Sequence, residues 1–328
     1  MTGEADDATC TPEETDVRAA AAAAARMPRT VAACDRALLY DRVDSTNVVA
    51  RRILERMVAS SGDGLVLSSD REPVPMTVVG ADGQTRGHGR LGRVWSSGAG
   101  SFMISFAAVM PRRPLVDPTV NGWLPLAAGL STIEALEDSL KDHGAAPTHP
   151  GCSLALKWPN DVFCDGLKLG GILVELVLPE PADSVRDDAV VARLREKTDR
   201  AGIVIGVGLN LDVDRGTLPD TATSLQWHRA DLPPFDDLRD AVASRLASRL
   251  GIWLPVFAAA PERTSARLRE RAAEACWTLG RRVVVRPVAG DSVVGTAEGL
   301  NADASLMVRD ERGIGHVIRT GDVGILAG

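Results

Sequence analysis

Residues Gly83 to Trp95 read GQTRGHGRLGRVW, which sets Arg86, His88, Arg90 and Arg93 among glycines. Backbone N–H groups at Gly87, Gly89 and Gly92 can approach an anion closely, and guanidiniums can grip a phosphate through paired hydrogen bonds. The chemistry on offer is anion binding, with a solvated basic loop as the bland alternative. Gly87-His88-Gly89-Arg90-Leu91-Gly92 also spells the dinucleotide-binding turn, which needs a helix straight after the glycines and an acid about 20 residues on. Arg93-Val94-Trp95-Ser96-Ser97-Gly98 follows instead, then a strand-like run, and Pro111-Arg112-Arg113-Pro114 stands where the acid should fall. No Gly-Lys-Ser/Thr ends the run, so a Walker loop is excluded too.

A second constellation is Lys157-Trp158-Pro159-Asn160-Asp161 with Lys168-Leu169-Gly170-Gly171-Ile172-Leu173-Val174-Glu175. Asp165-Gly166 between them is a hairpin signal that makes the two segments adjacent strands. A lysine just past that turn either snorkels to solvent or sits beside a bound anion. Gly170-Gly171 weakens a strand unless something must come close to its backbone. Asn160-Asp161 at a strand end is, taken alone, ordinary turn chemistry. A third stretch, Gly206-Val207-Gly208-Leu209-Asn210, closes an apolar run with two glycines and an amide.

With Ser45-Thr46-Asn47 and Gln84–Trp95, these segments resemble, in order and separation, the biotin protein ligases, or biotin–acetyl-CoA-carboxylase ligases. KWPND followed by KLGGIL is the most specific part. The resemblance implies that Ser45, Thr46, Asn47 and Gln84 bind the ureido head of biotin. It implies that Gly87, His88, Gly89 and Arg90 form a loop closing over biotin and its adenylate. Gly171, Leu173, Gly206 and Gly208 would line the pocket. Lys168 would touch the biotin carboxylate and the α-phosphate, and Arg90, Arg93, Trp95, Asn160 and Asn210 would lie at the nucleotide. Asp161 would face the incoming lysine, which makes Lys168, Arg90 and Asp161 the expected catalytic set. ATP and biotin would be substrates, Mg²⁺ would accompany the phosphates, and a biotin carboxyl carrier domain would be the acceptor. His88 departs from the pattern, because most relatives carry Arg there; a neutral imidazole keeps a hydrogen bond but loses the fixed charge. The enzyme rival is a lipoate–protein ligase, and the rival of another class is a non-catalytic biotin-sensing module.

These residues need elements to hold them. Asp44-Ser45-Thr46-Asn47 offers N-caps for a helix over 46–59, with Val49, Ile53 and Met57 in one stripe. Short strands are expected at 65–67 and 77–79, longer ones at 101–109, 154–158, 167–176 and 203–211. A core helix is expected from Pro125, and helical patterning returns over 235–275. A charged insertion spans about 181–201. After Cys276-Trp277, strand-like runs recur at intervals of roughly ten residues, as in a small β-barrel. The expected class is α+β: a mixed β-sheet with flanking helices, which the resemblance identifies as the class II aminoacyl-tRNA synthetase/biotin ligase-like catalytic domain, plus an SH3-like barrel. The expected divisions are 1–36 as a disordered or loosely helical Ala-rich tail, 37–275 as the catalytic domain and 276–328 as the barrel.

The bulk numbers narrow the partners. A formal charge of −7 argues against wholesale wrapping of nucleic acid, and residues 1–36 leave no room for a DNA-binding helix-turn-helix. No apolar run is long enough for a membrane helix. The N-terminus, with six acids and no base in its first 17 residues, is not a secretory signal. Five scattered cysteines without C-x-x-C support neither a zinc site nor a disulfide framework, so a reducing cytoplasm is expected. A monomer or weak homodimer is expected.

Overall fold

A computed structural model describes residues 12–60, 74–95, 98–178, 199–288 and 290–326. The chain opens with helices α1 (Pro12–Arg26) and α2 (Pro28–Ala33), strand β1 (Arg36–Val43) and helix α3 (Thr46–Ser60). Strands β2 (Met76–Gln84), β3 (Gly87–His88), β4 (Val94–Trp95) and β5 (Ser101–Pro111) follow, then helices α4 (Arg112–Val116) and α5 (Trp123–Asp142). Next come β6 (Ala146–Pro147), β7 (Leu154–Lys157), β8 (Asp161–Cys164), β9 (Leu167–Val177), β10 (Arg200–Asn210) and β11 (Arg229–Ala230). Helices α6 (Phe235–Ala259) and α7 (Pro261–Ala275) lead into β12 (Arg282–Pro287), β13 (Val293–Leu300), β14 (Leu306–Asp310), β15 (Gly315–Ile318) and β16 (Gly321–Ile325). The strand expected at 65–67 and most of the insertion expected at 181–201 lie outside the described residues, although Arg200 and Ala201 begin β10.

The fold is α+β. A seven-stranded sheet runs β1-β2-β5-β10-β9-β8-β7, mixed because β1 and β2 are parallel while the other pairs are antiparallel. β5 and β10 are apolar on both faces because helices cover both. Ala50, Ile53 and Leu54 of α3 pack with Ala107, Val109 and Val204 on one side. On the other, Leu126, Ile133 and Leu136 of α5 and Val242, Leu246 and Leu250 of α6 pack on Phe102, Phe106 and Ile205. Each large aliphatic or aromatic side chain buried this way contributes about 1.5–3 kcal/mol. Helix α5 begins two residues before the expected Pro125, which falls in the first turn where a missing N–H costs nothing. Asp165 and Gly166 both have positive φ, 52° and 77°, the geometry of the tight hairpin their sequence demands.

The expected tail is corrected for the residues described. From Pro12 onward it is two helices, and Ala19, Ala23, Met27 and Thr30 are buried. Arg26 pairs with Asp82 (2.6 Å) and Asp236 (3.0 Å), while the fully buried Arg239 also reaches Asp82 (2.6 Å). Asp240 accepts from the backbone and the hydroxyl of Thr30 at 2.8 and 2.7 Å. Composition suggested a loose segment because alanine has no side chain to advertise a core. Alanine instead lets α1 lie close against β1.

Five antiparallel strands in the order β15-β14-β13-β12-β16 form the C-terminal sheet, including β16, which the spacing had not indicated. Two buried tryptophans, one at the start of α5 and one just after β7, attach it to the rest of the chain: Trp123 Nε1 donates to Ala302 O at 2.7 Å and Trp158 Nε1 to Ala304 O at 2.9 Å. Trp158 N also donates to Thr278 Oγ1 at 3.0 Å. The hydrophobic core runs unbroken from Trp158 into Val283, Val285 and Val308.

Candidate active site

A cavity of about 590 Å³ opens where α3, the β3–β4 hairpin, strands β8–β10 and the C-terminal sheet meet. Ser45, Thr46, Asn47, Gln84, His88, Gly89, Arg90, Arg93, Trp95, Asn160, Asp161, Lys168, Gly171, Leu173, Gly206 and Gly208 all line it. Segments far apart in sequence thus share one wall, as the resemblance implied.

One end is built by the start of α3. Gln84 Oε1, at the end of β2, accepts from Thr46 N at 2.8 Å, so a side chain from another element satisfies one of the helix's free N–H groups. Ser105 Oγ lies 2.6 Å from Asn47 Oδ1 and 2.8 Å from Thr46 Oγ1, while Asn47 Nδ2 donates to Glu175 Oε2 at 2.7 Å. Glu175 is itself held by Arg51 at 2.5 Å. Buried Ser45, Thr46 and Asn47 are therefore fixed polar groups. A Cβ on Gly206 would fall 2.1 Å from Asn47 Oδ1, so this glycine is what lets Asn47 lie over β10. Ser105 and Glu175 were missed as positioning groups. The only sequence trace of Ser105 is one hydroxyl in the apolar run of β5.

The opposite end is charged. Lys168 Nζ donates to Asp161 Oδ1 at 2.6 Å, and Lys157 Nζ stands 3.5 Å from Asp161 Oδ2. Burial lowers the Lys157 pKa from its ordinary value, against the attraction of Asp161. A bulge makes this arrangement. Asp161 pairs with Gly171 and Val162 with Gly170, but Phe163 pairs with Lys168, so Leu169 is an extra residue in β9. Residues three apart normally point to opposite faces of a strand; the extra residue brings Lys168 onto the cavity face with Gly171 and Leu173. Lys168 N and O instead bond the backbone of Thr221 and Thr223. Gly170 has its own reason: a Cβ there would meet Gly208 O at 2.2 Å, so what approaches its backbone is β10.

The arginine loop forms a flap. Gly87–His88 pairs with Val94–Trp95, and the tip turns through Leu91 and Gly92, both at positive φ. No helix follows, so the dinucleotide turn is excluded by geometry as well as by context. Trp95 packs over Gly208, where a Cβ would meet its ring at 2.8 Å. Its ring centroid is 5.9 Å from Lys168 Nζ. Arg90 donates to Asn160 Oδ1 at 3.0 Å and to Thr320 Oγ1 at 3.1 Å. Arg93 pairs with Asp322. Burial lowers the Arg90 pKa, yet a guanidinium remains a cation at neutral pH.

Two expected residues are placed differently. Asn210 is buried outside the lining and donates to Thr223 O at 3.0 Å, because β10 ends there and its amide ties down the next loop. Gly87 lies behind the wall, with Trp95 O 2.5 Å and Gln84 Nε2 3.1 Å from where its Cβ would be. Conversely, Thr221 and, from the C-terminal sheet, Arg286, Gly321, Asp322, Val323 and Gly324 line the cavity without any prior indication in the motifs. Arg286 and Asp322 are cross-strand partners on β12 and β16.

The comparisons agree with this architecture. The profile of the Biotin/lipoate A/B protein ligase family matches residues 67–185. The chain is 30% identical over 267 residues to a biotin–[acetyl-CoA-carboxylase] ligase of Mycobacterium tuberculosis, covering 81% of this chain and 85% of that one. To the enzyme of the same description from Paracoccus denitrificans it is 29% identical over 83% of this chain and 93% of the relative. In three dimensions it resembles a biotin protein ligase from Aquifex aeolicus solved with biotin and ATP, with a TM-score of 0.56 and 22% identity over 89% of this chain and 99% of that one, a likeness of fold. The sheet, its flanking helices and the small C-terminal sheet share the fold of that structure. The chain belongs to the biotin/lipoate A/B protein ligase family, with its long-coverage relatives among the biotin ligases.

Proposed function

We propose that this protein activates biotin with ATP and transfers it to a lysine of a biotin carboxyl carrier domain of acetyl-CoA carboxylase. The observation that carries the reading is that Arg90 on the flap and Lys168 on the hairpin line one cavity with Ser45, Thr46 and Asn47. Anion-binding groups at one end and a fixed polar cluster at the other suit a molecule with a carboxylate tail and a hydrogen-bonding head. The membership and the names of the long-coverage relatives support the substrate.

In the first step a biotin carboxylate oxygen attacks the α-phosphorus of ATP, the bond to pyrophosphate breaks, and biotinyl-5′-AMP forms. Negative charge gathers on the α-phosphoryl oxygens, where Lys168 and Arg90 are to be aimed. In the second, an acceptor amine attacks the acyl carbon, the bond to AMP breaks, and the amine loses its proton. Asp161 orients that amine or takes the proton, once Lys168 turns from it toward phosphate. Gly87, His88, Gly89 and Arg90 close over the mixed anhydride and exclude water. Arg93, Trp95 and Asn160 face the nucleotide, while Gly171, Leu173, Gly206 and Gly208 form the floor.

Magnesium is part of the proposal only as a companion of the phosphates. The described lining carboxylates, Asp161 and Asp322, are both paired with cations and make no open cradle for it. When bound with ATP, Mg²⁺ neutralises phosphate charge. We divide the chain into the catalytic unit 37–275 and the C-terminal unit 276–328, and place it in the cytoplasm as a monomer or weak homodimer that does not bind DNA. Among the described residues no helix is long and apolar enough to cross a membrane.

Pyrophosphate–ATP exchange run with biotin, lipoate or neither tests the reading. Exchange that depends on biotin is expected. Lipoate-dependent exchange would assign the rival ligase, and biotin binding without exchange would leave a sensing module.

A further inference from the structure

On the outer side of the β8–β9 hairpin, three segments bring together side chains that no motif connects. His149 and Cys152 come from the loop before β7, and His228 from the turn before β11. One donor atom of each lies within 4.8 Å of the others. Asp165, at the hairpin turn, adds a carboxylate whose Oδ2 is 3.1 Å from His149 Nε2 and 3.9 Å from His228 Nδ1. None of these residues lines the cavity described above. From them we infer a metal site: the geometry points to His149, Cys152 and His228 as ligands of a zinc-like divalent ion, with Asp165 flanking the fourth position.

The donor set suits zinc, which takes imidazole nitrogen, thiolate sulfur and carboxylate oxygen in tetrahedral sites. Ligands around such an ion stand about 3.5 Å apart, so the present spacing must close by roughly 1 Å. The scaffold is already tied. Thr148 N donates to His228 O (3.0 Å), Cys152 N to His149 O (3.1 Å) and Asp165 N to Ser153 O (3.2 Å). His228, which is buried, has Nε2 held 2.6 Å from Thr223 Oγ1, leaving Nδ1 toward the cluster. An outer hydrogen bond of that kind is what orients a ligating imidazole. Two arginines oppose a bound cation: Arg229 Nη1 lies 2.7 Å from Cys152 Sγ and offsets part of the negative charge of the donors, and Arg215 adds a second positive charge near His228. Cys164 Sγ lies 3.7 Å behind Cys152 Sγ, so the same thiols offer a disulfide as the competing use.

The bound ion would pin the hairpin turn to the 221–228 loop, which already takes the backbone hydrogen bonds of Lys168 N and O. This inference stands apart from biotin ligation and is tested without it. Reduced, chelator-stripped full-length protein is titrated with Co²⁺, then with Zn²⁺. About one equivalent of cobalt should bind, giving a thiolate-to-cobalt charge-transfer band that zinc abolishes. Cys152→Ala should remove the band and Cys164→Ala should keep it. His149→Ala, at an exposed position, should weaken binding at least tenfold. Absence of the band, or its survival in Cys152→Ala, overturns the site. So does oxidation of Cys152 and Cys164 to a disulfide by added hydrogen peroxide, itself reduced to water, at the same rate with and without zinc.

Discussion

Lys168 Nζ and Asp161 Oδ1 meet at 2.6 Å across β8 and β9, although their backbones are not register partners. The bulge at Leu169 allows it, and the pair sits on the cavity wall with Trp95 above. Asp161 thereby holds Lys168 at a fixed spot, and a phosphate entering the cavity competes with it for the ammonium. Lys168→Ala should lower the rate of biotinyl-AMP formation by about 2–4 kcal/mol of barrier, the scale of one donor to a developing oxyanion. Single-turnover formation of the adenylate measures this, and wild-type rates would remove Lys168 from the chemistry.

Arg90 links the flap to Asn160 and to Thr320 of the C-terminal sheet. Arg90→Gly should therefore speed release of preformed biotinyl-AMP, because the flap loses both anchors together with its charge. Release followed by stopped-flow fluorescence reads the effect. An unchanged dissociation rate would show that the flap is held by other contacts.

His88 lines the cavity beside Arg90. His88→Arg restores a fixed charge on the flap, so adenylate release should slow, by about threefold to tenfold for an added exposed charge contact of roughly 1 kcal/mol. The same dissociation assay checks it, and the effect should shrink as salt is raised.

Gly206→Ala should damage biotin binding selectively. Its Cβ would overlap Asn47 Oδ1, and moving Asn47 costs about 1–3 kcal/mol of packing and hydrogen bonding. The KM for biotin should rise while that for ATP changes little. Equal losses for both substrates would mean that the strand, not Asn47, had been disturbed.

The N-terminal helices depend on Asp82. Burial pushes its pKa up, but hydrogen bonds from Arg26 and Arg239 outweigh that and hold it below the ordinary aspartate range. The folded carboxyl thus binds protons less readily than the unfolded one, so its stabilisation is complete above the ordinary range and is lost as pH falls through the folded value. Asp82→Asn should cost about 2–3 kcal/mol at neutral pH, somewhat less than breaking a fully buried pair, because Asp236 still shares both arginines. Urea midpoints of wild type and variant should converge in acid. A constant gap across pH would assign the loss to packing.

Much of this molecule is written locally. The φ demands of Asp165-Gly166, the helix start at Ser45-Thr46-Asn47 and the apolar runs of β5 and β10 each depend on a few neighbouring residues, and each was legible. So was the set of segments that converge, through the family resemblance that KWPND, KLGGILVE and the arginine loop carry. The placement of Asn210 was not, because whether a strand-end amide faces a cavity or a following loop depends on where that loop returns.

The remainder was decided by partners distant in sequence. Arg26 meets Asp236 and Arg90 meets Thr320 across separations of 210 and 230 residues, and His228 reaches the loop of Cys152 by a similar return of the chain. The bulge at Leu169 follows from the 221–223 segment taking the backbone hydrogen bonds of Lys168. Residue type and spacing therefore set which groups this protein brings to its cavity. Tertiary packing decided which way each one faces, because hydrogen bonds and ion pairs between remote segments cancel or reverse the alternation that a single strand carries.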